Sequence, residues 1–246
     1  MKQVVTLSRL KWLYRAWRYR YRLERREIEL LLQQLRPGDT AVDIGAHKGA
    51  YSYWMRRAVG SGGKVYAFEP QPELAAALQA LAAASGYHNL RVENLALSSS
   101  AGTRTLTVPS GGTSPGASLE PGAGAGGSSG NAYPVSVTTL DDYFDAAGRA
   151  RIRLLKCDAE GHELEVFRGG QRLLQEAHPS LLFECERRHR GGDSVETVFR
   201  WLEQQGYRGY FIDARGAQPI EGFDADRHQG RSGARGYVNN FLFLPA

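Results

Sequence analysis

Acidic residues and glycines follow the first short apolar run that could form a strand. The sequence A-V-D-I-G-A-H-K-G-A carries Asp43 within this run and Gly45 and Gly49 after it. Glycine lets the backbone approach a ligand closely, and doubly wound sheets bind nucleotides at the carboxyl end of their first strand. This segment therefore predicts a ligand-binding turn between a strand and a helix.

The composition of this turn indicates which ligand it binds. A pyrophosphate-binding turn has the pattern G-x-G-x-x-G, but here His47 and Ala50 stand at the positions of the second and third glycines. Asp43 instead favours a ligand with positive charge, such as the ammonium and sulfonium groups of S-adenosylmethionine (SAM). The predicted cofactor contacts of the turn are Asp43, Gly45, Ala46, His47 and Gly49.

A second acidic residue lies one strand and one helix later. Glu69 ends the apolar run V-Y-A-F-E-P, 26 residues after Asp43, and Pro70 after it is also a predicted cofactor contact. In nucleotide-binding sheets an acidic residue at this place accepts hydrogen bonds from the hydroxyls of a ribose. Asn94 and Ala96, after the next apolar run, are predicted to lie beside the adenine, with Asn94 as a polar contact. An ordinary turn at the strand end is the alternative for these two residues.

A third cluster could carry out proton transfer. In L-L-K-C-D-A-E-G-H-E, a buried strand leads to Asp158, Glu160, His162 and Glu163. Glu163 alone could be structural, because acidic residues stabilise the first turn of a helix. The whole cluster is what proton abstraction or metal binding needs, so Asp158, Glu160 and His162 are the predicted catalytic residues, and Asp158 is also a predicted cofactor contact. Both a direct base and a divalent ion such as Mg²⁺, held by Asp158 and Glu160, are compatible with this pattern.

Strands and helices must alternate to bring these three groups together. Short apolar runs of strand length occur at residues 40–44, 64–68, 90–92, 152–157 and 181–184. Helical stretches lie between most of them, and such alternation indicates a mostly parallel sheet buried on both faces. Two further strands are predicted at 207–212 and 237–244, as an antiparallel pair at one edge of the sheet.

Several motifs, in this order, resemble the FkbM family of SAM-dependent methyltransferases. They are A-V-D-I-G-A-H-K-G-A-Y-S, V-Y-A-F-E-P, N-L-A-L, V-T-T-L-D-D-Y, L-L-K-C-D-A-E-G-H-E and L-L-F-E-C-E, within residues 38–190. The resemblance implies an α/β Rossmann-like fold with a mostly parallel seven-stranded sheet, helices on both faces and an antiparallel last strand. It also implies SAM as the cofactor and O-methylation of a hydroxyl on a sugar, glycan, polyketide or related small molecule.

The resemblance assigns roles to individual residues as well. Asp43 and the two glycines after it match the family's SAM-binding motif, and Glu69 matches its ribose ligand. Asp158 and Glu160 belong to a D-A-E-G segment that matches the family's D-x-E-G signature. His47 is a departure, since the family usually has Asn at this place.

The first 36 residues are basic and aromatic. They contain ten Lys and Arg residues against three Glu, a net charge of +7, whereas the whole chain carries +5. Apolar residues at helical spacings predict one helix with a single apolar face, formed by Leu10, Leu13, Trp17, Tyr21, Ile28, Leu31 and Leu35. We expect this arm, residues 1–37, to pack on a methyltransferase domain at 38–246 or to contact an anionic membrane. Nucleic acid is the least favoured partner.

Residues 110–131 interrupt the alternation of strands and helices. Gly, Ser and Pro dominate this segment, and such a composition cannot bury enough apolar surface to become ordered. We predict a flexible loop within one domain, flanked by the two strands of a hairpin at 103–108 and 135–137. A lid over the acceptor is one function for a loop of this length.

Composition excludes several classes of protein. With 42% hydrophobic and 23% charged residues among 246, the chain is neither fibrous nor disordered. Two cysteines and six histidines supply no disulfide framework and no structural zinc site. The sequence has no apolar run of roughly 18 residues and no signal-peptide core, which predicts a cytoplasmic protein, peripheral at the membrane if the arm binds lipid.

Three classes of function agree with these residues. A SAM-dependent methyltransferase is the preferred one. A nucleotide-dependent oxidoreductase is disfavoured because Asp43 lies in a turn without the G-x-G-x-x-G pattern. A catalytically silent binding module is disfavoured because the pair Asp158 and Glu160 is present. A homo-oligomer is compatible with all three.

Overall fold

The computed structural model describes residues 8–109, 113–114, 116–120, 131–189, 194–230 and 236–246. Most of the predicted loop at 110–131 therefore lies outside the described residues. Its described pieces lie beside the predicted site.

The N-terminal segment forms two helices joined by a π-helical turn, and not the single helix that the spacing predicts. The three elements are α1 (Arg9–Arg18), the π-helical turn (Tyr19–Leu23) and α2 (Arg25–Gln33). A π-helical turn is wider than an α-helical one. The residues before and after it therefore fall out of the 3.6-residue register on which the predicted apolar face depends.

The buried face of α1 is formed by other residues than those predicted. Trp12 and Ala16 are fully buried, whereas Leu10, Trp17 and Tyr21 are exposed. Ser8 caps the helix, since its hydroxyl accepts a hydrogen bond from the backbone N–H of Lys11. The predicted single apolar face is therefore wrong for α1.

Eleven strands occur in the described part of the chain. In chain order they are β1 (Thr40–Ile44), β2 (Lys64–Phe68), β3 (Leu90–Glu93), β4 (Ala96–Leu97), β5 (Gly102–Val108), β6 (Asn131–Thr138), β7 (Ile152–Cys157), β8 (Ser180–Glu184), β9 (Tyr207–Asp213), β10 (Gly216–Pro219) and β11 (Asn240–Pro245).

Helices separate the strands of the main sheet. They are α3 (Ala50–Val59), α4 (Pro72–Ala84), α5 (Leu140–Tyr143), α6 (Ala146–Arg149), α7 (Glu163–Arg168), α8 (Gln171–Ala177), α9 (Glu196–Gln204) and α10 (Ala225–Gln229). Two short 3₁₀ turns occur at Arg187–His189 and Ile220–Gly222. No helix among the described residues has both the length and the apolar content to span a lipid bilayer.

The main sheet has the strand order β10-β9-β11-β8-β7-β1-β2-β3. Strands β8, β7, β1, β2 and β3 run parallel, and β11 is antiparallel to both of its neighbours. The predicted α/β fold with a mostly parallel sheet is therefore confirmed. Strands β9 and β11 pair as predicted, but β11 lies between β8 and β9. The edge is formed by β10, an eighth strand that the sequence did not predict.

A second sheet contains the hairpin that the sequence predicts around the glycine-rich segment. Strands β5 and β6 pair antiparallel, from Gly102 opposite Val137 to Val108 opposite Asn131, and β4 pairs parallel to β6. Leu106, Val108 and Val137 are buried together in a small hydrophobic cluster of this second sheet. The hairpin brings both ends of the glycine-rich segment to one place.

The main sheet is covered by helices on both faces. Leu154 of β7 faces a cluster that contains Met55 of α3 and Leu78 of α4. Its neighbour Leu155 faces the other cluster, which contains Phe167 of α7. Successive strand residues point to opposite faces, so a strand buried on both sides has an unbroken apolar sequence.

The N-terminal segment packs on α3. The indole nitrogen of Trp54 donates a hydrogen bond to the backbone carbonyl oxygen of Ala16, at 2.8 Å. Ile28 and Leu31 of α2 are buried in the same cluster as Trp54. The segment therefore covers one face of the sheet together with α3 and α4.

Candidate active site

A cavity of about 340 Å³ lies at the carboxyl ends of β1, β2 and β7. Parallel strands end there together, which brings the three predicted groups of residues to one place. The predicted site residues that line the cavity are Asp43, Gly45, Ala46, His47, Glu69, Pro70, Ala96, Asp158, Glu160 and His162. Gly49 and Asn94 lie outside this lining.

Gly45 joins the first motif to the third. Its backbone φ of 73° is in the left-handed region, and a Cβ at this position would overlap the carbonyl oxygen of Asp158. The backbone N–H of Asp158 in turn donates to the carbonyl oxygen of Ile44, at 3.0 Å. Only glycine lets the ends of β1 and β7 approach this closely.

Gly49 supports the turn from outside the cavity. Its φ is 71°, and it caps the N-terminus of α3. A Cβ there would lie 2.7 Å from a methyl of Leu78 and 3.0 Å from the indole nitrogen of Trp12. Gly49 therefore packs under the turn, and its predicted contact with the cofactor stays a prediction.

Asp43 is a fully buried carboxyl group at the floor of the site. Its Oδ2 accepts a hydrogen bond from the hydroxyl of Ser52, at 2.5 Å. Its Oδ1 is buried with no hydrogen-bond partner among the described residues. Burial raises the pKa of Asp43 above its ordinary value. A cationic ligand in the cavity would satisfy this orphaned oxygen.

His47 has a backbone conformation that explains its place in the turn. Its φ is 50°, in the left-handed region, which Asn and His enter more readily than most side chains. Its backbone N–H donates to Oε2 of Glu69, at 2.6 Å. Burial lowers the pKa of the imidazole to about 4, so the ring is neutral at physiological pH. Its Nε2 is buried and has no hydrogen-bond partner in the described residues.

Glu69 holds the turn and lines the cavity at the same time. One carboxylate oxygen accepts from the backbone N–H of His47 and the other from that of Gln71, at 2.9 Å. Burial raises the pKa of Glu69 to about 7. Each oxygen keeps a second lone pair, so the carboxylate can still accept hydrogen bonds from a ligand.

Asn94 fixes the backbone that follows β2. Its side-chain nitrogen donates to the backbone carbonyl oxygens of Glu69 and Pro70, at 2.9 and 3.0 Å. These bonds fix the end of β2 and take up both amide hydrogens. Asn94 lies outside the cavity lining, and its predicted polar contact to adenine stays a prediction that only its side-chain oxygen could fulfil, whereas Ala96 does line the cavity.

Lys156 is a site residue that sequence reasoning missed. It is buried on β7, and its ammonium group lies 3.2 Å from Oδ2 of Asp158. In the sheet it pairs with Asp43 across β1 and β7. The sequence does carry a signal, because strand residues two apart share a face and Lys156 precedes Asp158 by two.

The charges around Lys156 are unbalanced. Burial alone would lower the pKa of Lys156, but four carboxyl groups, with Asp158 the strongest, raise it above its ordinary value. The other three are Asp43, Glu24 and Glu184. The ammonium group therefore stays charged, and it neutralises at most one of the carboxylates near it.

Glu160 and the glycine after it are tied to the turn beyond β8. Oε2 of Glu160 lies 2.9 Å from Nδ1 of His189, and burial raises the pKa of Glu160. A Cβ at Gly161 would overlap the carbonyl oxygen of His189. Glu160 lines the cavity with its carboxyl group already engaged by this histidine.

His162 is held by groups on both sides of its ring. Its Nδ1 lies 2.5 Å from a carboxylate oxygen of Glu120, and its Nε2 lies 2.8 Å from the hydroxyl of Ser98. Glu120 belongs to a described piece of the glycine-rich segment. Ser118 of the same piece donates its hydroxyl hydrogen to the carbonyl oxygen of Glu160, at 2.7 Å. Because both nitrogens are engaged, His162 is poorly placed to accept a proton from a substrate.

The N-terminal segment supplies three cavity residues that the sequence did not indicate. They are Arg15, Tyr19 and Glu24. The phenol of Tyr51 on α3 donates a hydrogen bond to a carboxylate oxygen of Glu24. Burial raises the pKa of Glu24 to about 7, and Lys156 opposes this shift. No local pattern could have revealed these residues, because their place depends on how the segment packs on α3.

The described residues contain no group of three or more His, Cys, Asp or Glu side chains arranged to hold a metal ion. Glu160 is engaged by His189 and Asp158 by Lys156, so each of the two predicted ligands already has a cationic or imidazole partner. The side chains of this cavity fit hydrogen bonding and proton transfer better than metal binding.

The cavity fits SAM. Six carboxyl groups line it against four Lys and Arg side chains, and a bound cation would favour the ionised form of the buried carboxyl groups. Asp43 offers an orphaned carboxylate oxygen to an ammonium or sulfonium group. Glu69 offers acceptors to the hydroxyls of a ribose. SAM combines these three chemical groups in one molecule.

Comparison with known proteins identifies the family. A sequence model described as the methyltransferase FkbM domain matches residues 43–208. This range includes the glycine turn, Glu69 and the segment with Asp158, and it covers about two thirds of the chain. None of the curated proteins is similar enough in sequence to count as a match.

Solved structures share the fold. A methyltransferase FkbM from Methylobacillus flagellatus superposes with a TM-score of 0.52 at 16% identity, over 97% of this chain and 56% of that one. The chain thus spans little more than half the length of that relative. A SAM-dependent O-methyltransferase from Thermotoga maritima gives a TM-score of 0.51 at 13% identity, over 98% of this chain and 72% of that one. At these identities the likeness shows a common fold, and the matching family model shows that the chain belongs to the FkbM family of SAM-dependent methyltransferases.

Proposed function

We propose that the protein transfers a methyl group from SAM to a hydroxyl oxygen of a sugar, glycan, polyketide or related metabolite. One observation carries the proposal. The carboxyl groups suited to the cofactor, Asp43 and Glu69, share a single cavity with three other carboxyl groups near Lys156, those of Asp158, Glu24 and Glu184. A methyltransferase that acts on oxygen needs both a cofactor site and a nearby proton acceptor.

The cofactor half of the site would bind and orient SAM. Asp43 would hold the cationic end through its orphaned oxygen, and Glu69 would accept hydrogen bonds from the ribose. Ala46, Pro70 and Ala96 would form the apolar walls between them. When bound, SAM supplies a methyl group bonded to a positively charged sulfur, which a nucleophilic oxygen can attack.

The acceptor half of the site would take a proton from the attacking hydroxyl. A sugar hydroxyl is a poor nucleophile while it is protonated, so a carboxylate near it speeds the reaction. Asp158 is the most accessible of the predicted catalytic residues, with its side chain 31% exposed. The ammonium group of Lys156, 3.2 Å from Oδ2 of Asp158, would fix the position of this carboxyl group. Glu24 also lines the cavity and is the second carboxyl group available for this role.

The domain boundaries are part of the same proposal. We place the methyltransferase domain at residues 38–246 and regard the segment before it as an added wall of the site. Arg15, Tyr19 and Glu24 support this assignment because they line the cavity although they precede the matched family domain. Residues outside the shared domain would then help to select the acceptor.

Product analysis tests this function. The protein is incubated with SAM carrying an isotopically labelled methyl group and with fractionated cell extract, and products are examined by mass spectrometry and NMR. We expect a labelled methyl ether on a hydroxylated acceptor. Asp158→Asn should slow its formation by about 100-fold or more while binding S-adenosylhomocysteine within a few-fold of the original chain.

Asp142→Asn is the matched control, because Asp142 is an exposed carboxyl group outside the cavity. It should leave product formation unchanged. Label on nitrogen or carbon would overturn O-methylation, and full activity of Asp158→Asn would overturn the assigned base. A chelator separates the two mechanisms: activity that EDTA abolishes and Mg²⁺ restores would indicate a metal-assisted reaction.

A further inference from the structure

A stripe of apolar side chains faces solvent along the N-terminal segment. Leu10, Tyr14, Trp17 and Tyr21 are 78%, 69%, 47% and 53% exposed, and Leu23 is 49% exposed. Leu10, Tyr14 and Trp17 are spaced by four and three residues on α1, so they lie along one side of this helix. The ring of Tyr21 continues this side, because it stacks on Trp17 with the ring centroids 5.1 Å apart. We call these five residues the aromatic stripe.

The aromatic stripe is not the core-facing side of the helix. Trp12 and Ala16 occupy that side and are fully buried, and the indole of Trp54 is bonded to the carbonyl oxygen of Ala16. In the described part of the chain, the large hydrophobic side chains that are exposed to solvent all belong to this stripe. A contiguous exposed apolar patch in one place marks an interaction surface.

The surroundings of the aromatic stripe are cationic. Lys11, Arg18, Arg22, Arg25 and Arg26 are exposed on the same segment. The three glutamates of the segment do not balance them. Glu24 faces the cavity and Glu27 is partly buried, while Glu29 is paired with Arg25 and Arg26. The exposed side of the segment therefore combines aromatic rings with unbalanced positive charge.

We propose that the aromatic stripe docks on an anionic lipid surface. Trp and Tyr rings favour the boundary between headgroups and acyl chains, and Lys and Arg are attracted by anionic headgroups. A second copy of the chain fits this surface less well. A symmetric pair would bring the same cationic segment of both copies together, and this repulsion opposes association.

Docking would also affect the active site. The same segment that carries the aromatic stripe lines the cavity through Arg15 and Tyr19. One side of this segment would contact the lipid surface, and Arg15 and Tyr19 of the same segment form part of the cavity wall. The bound lipid surface would therefore lie close to the cavity. This arrangement suits an acceptor carried in the membrane, an inference that rests on the proposed function, whereas the docking itself does not.

Vesicle binding tests the proposal with the full chain. The protein is sedimented with vesicles of phosphatidylcholine alone, or of phosphatidylglycerol and phosphatidylcholine in a ratio of about 3 to 7. We expect binding to the anionic vesicles at low salt, release at high salt and little binding to the neutral ones. The tryptophan fluorescence should shift to the blue on binding, because Trp17 leaves water.

Two pairs of variants separate specific docking from general charge. Arg18→Glu with Arg22→Glu should weaken binding to anionic vesicles by at least about tenfold. Arg151→Glu with Arg208→Glu makes the same change in net charge at exposed sites elsewhere, and it should change binding by less than about twofold. Trp17→Ala with Tyr21→Ala should weaken binding and reduce the fluorescence shift.

Several outcomes would overturn the proposal. One is the absence of binding to anionic vesicles at low salt. Another is an equal loss of binding in both charge-reversed variants, which would indicate general attraction to charge. A third is a dimer in light scattering that Trp17→Ala with Tyr21→Ala dissociates, which would make the aromatic stripe an interface between two copies. Vesicle binding with no methyl transfer to any hydroxyl would leave the docking intact and overturn only the proposed function.

Discussion

The indole nitrogen of Trp12 donates a hydrogen bond to the backbone carbonyl oxygen of Gly49, at 2.9 Å. Gly49 begins α3 in a left-handed conformation, and its Cα faces Trp12 and Leu78 with no room for a side chain. The N-terminal segment, which precedes the matched family domain, therefore contacts and supports the glycine turn beside the proposed cofactor site. Its contribution to stability can be measured directly.

We expect Trp12→Phe to lower the free energy of unfolding by about 1 to 3 kcal/mol. The variant loses one buried hydrogen bond and part of the volume of the indole. Chemical denaturation measures the loss. Trp17→Phe is the matched control because Trp17 lies on the same segment but is exposed, and it should change stability by about 0.5 kcal/mol or less. Equal effects of the two substitutions would show that the contact with Gly49 contributes nothing.

The sequence predicts the sheet and its chemistry because both follow from local patterns. Asp43 lies near the end of an apolar run and Glu69 and Asp158 directly follow one, and in a parallel sheet such ends meet at one edge. The same logic does not place Gly49 and Asn94 in the cavity lining. Their motif positions are right, but their side chains or backbone atoms hold the turn together from outside the cavity.

Residues of the N-terminal segment could not be placed from the sequence. The hydrogen bond between Tyr51 and Glu24 joins two elements whose relative position depends on tertiary packing. The π-helical turn at Tyr19–Leu23 also breaks the periodicity on which the predicted apolar face rests. An exposed Trp17 therefore looks like a core residue when only its spacing is considered.

Gly45 and Gly60 allow a matched test of the close approach between β1 and β7. Both have a positive φ, 73° and 65°, but a Cβ at Gly60 would meet nothing within 4 Å. Gly60 has a ψ of −169°, a conformation that few residues other than glycine adopt, so Gly60→Ala should cost only the conformational strain, about 1 to 3 kcal/mol. Gly45→Ala should cost several kcal/mol, or prevent folding, because its Cβ would overlap the carbonyl oxygen of Asp158.

Thermal unfolding and the yield of soluble protein measure this difference. A Gly45→Ala variant as stable as Gly60→Ala would show that the strand ends can separate without cost. In that case the contact between the first and third motifs would not be needed to form the site.

Glu69 is expected to affect both cofactor binding and folding. Glu69→Gln cannot accept hydrogen bonds on both sides as the carboxylate does, so one backbone N–H of the turn loses its partner. We expect S-adenosylhomocysteine to bind about 30- to 1,000-fold more weakly, which corresponds to about 2 to 4 kcal/mol. Calorimetry measures the affinity. Glu73→Gln, on the first turn of α4 and outside the cavity, should bind as the original chain does.

A loss of stability without a loss of affinity would contradict the double role. It would reduce Glu69 to a residue that holds the turn, and the ribose would need another acceptor. Thermal unfolding of the unliganded variant and of the original chain provides the comparison.

Glu24 should make the stability of the protein depend on pH. Burial raises the pKa of Glu24 from 4.5 to about 7 in the folded chain, although Tyr51 and Lys156 both favour its ionised form. Between pH 4.5 and about pH 7, Glu24 therefore keeps its proton in the folded state, whereas it has lost that proton in the unfolded state. The stability from this group is fully present below pH 4.5 and is lost as the pH rises through 7.

Glu24→Gln removes this titration and keeps the size of the side chain. The free energy of unfolding of Glu24→Gln, relative to the original chain, should rise by about 1 to 3 kcal/mol between pH 5 and pH 8. Taking the difference cancels the titration of Glu69 and the histidines, which both proteins share. Denaturant unfolding at several pH values measures it.

Glu29→Gln provides the control on the same helix. Glu29 is exposed and pairs with Arg25 and Arg26, and its pKa is lowered chiefly by Arg25. It is ionised throughout this pH range, so its difference curve should be flat. A flat curve for Glu24→Gln as well would mean that Glu24 is ionised at pH 5. Its carboxylate would then be balanced by Lys156, and Glu24 would be a less suitable proton acceptor than Asp158.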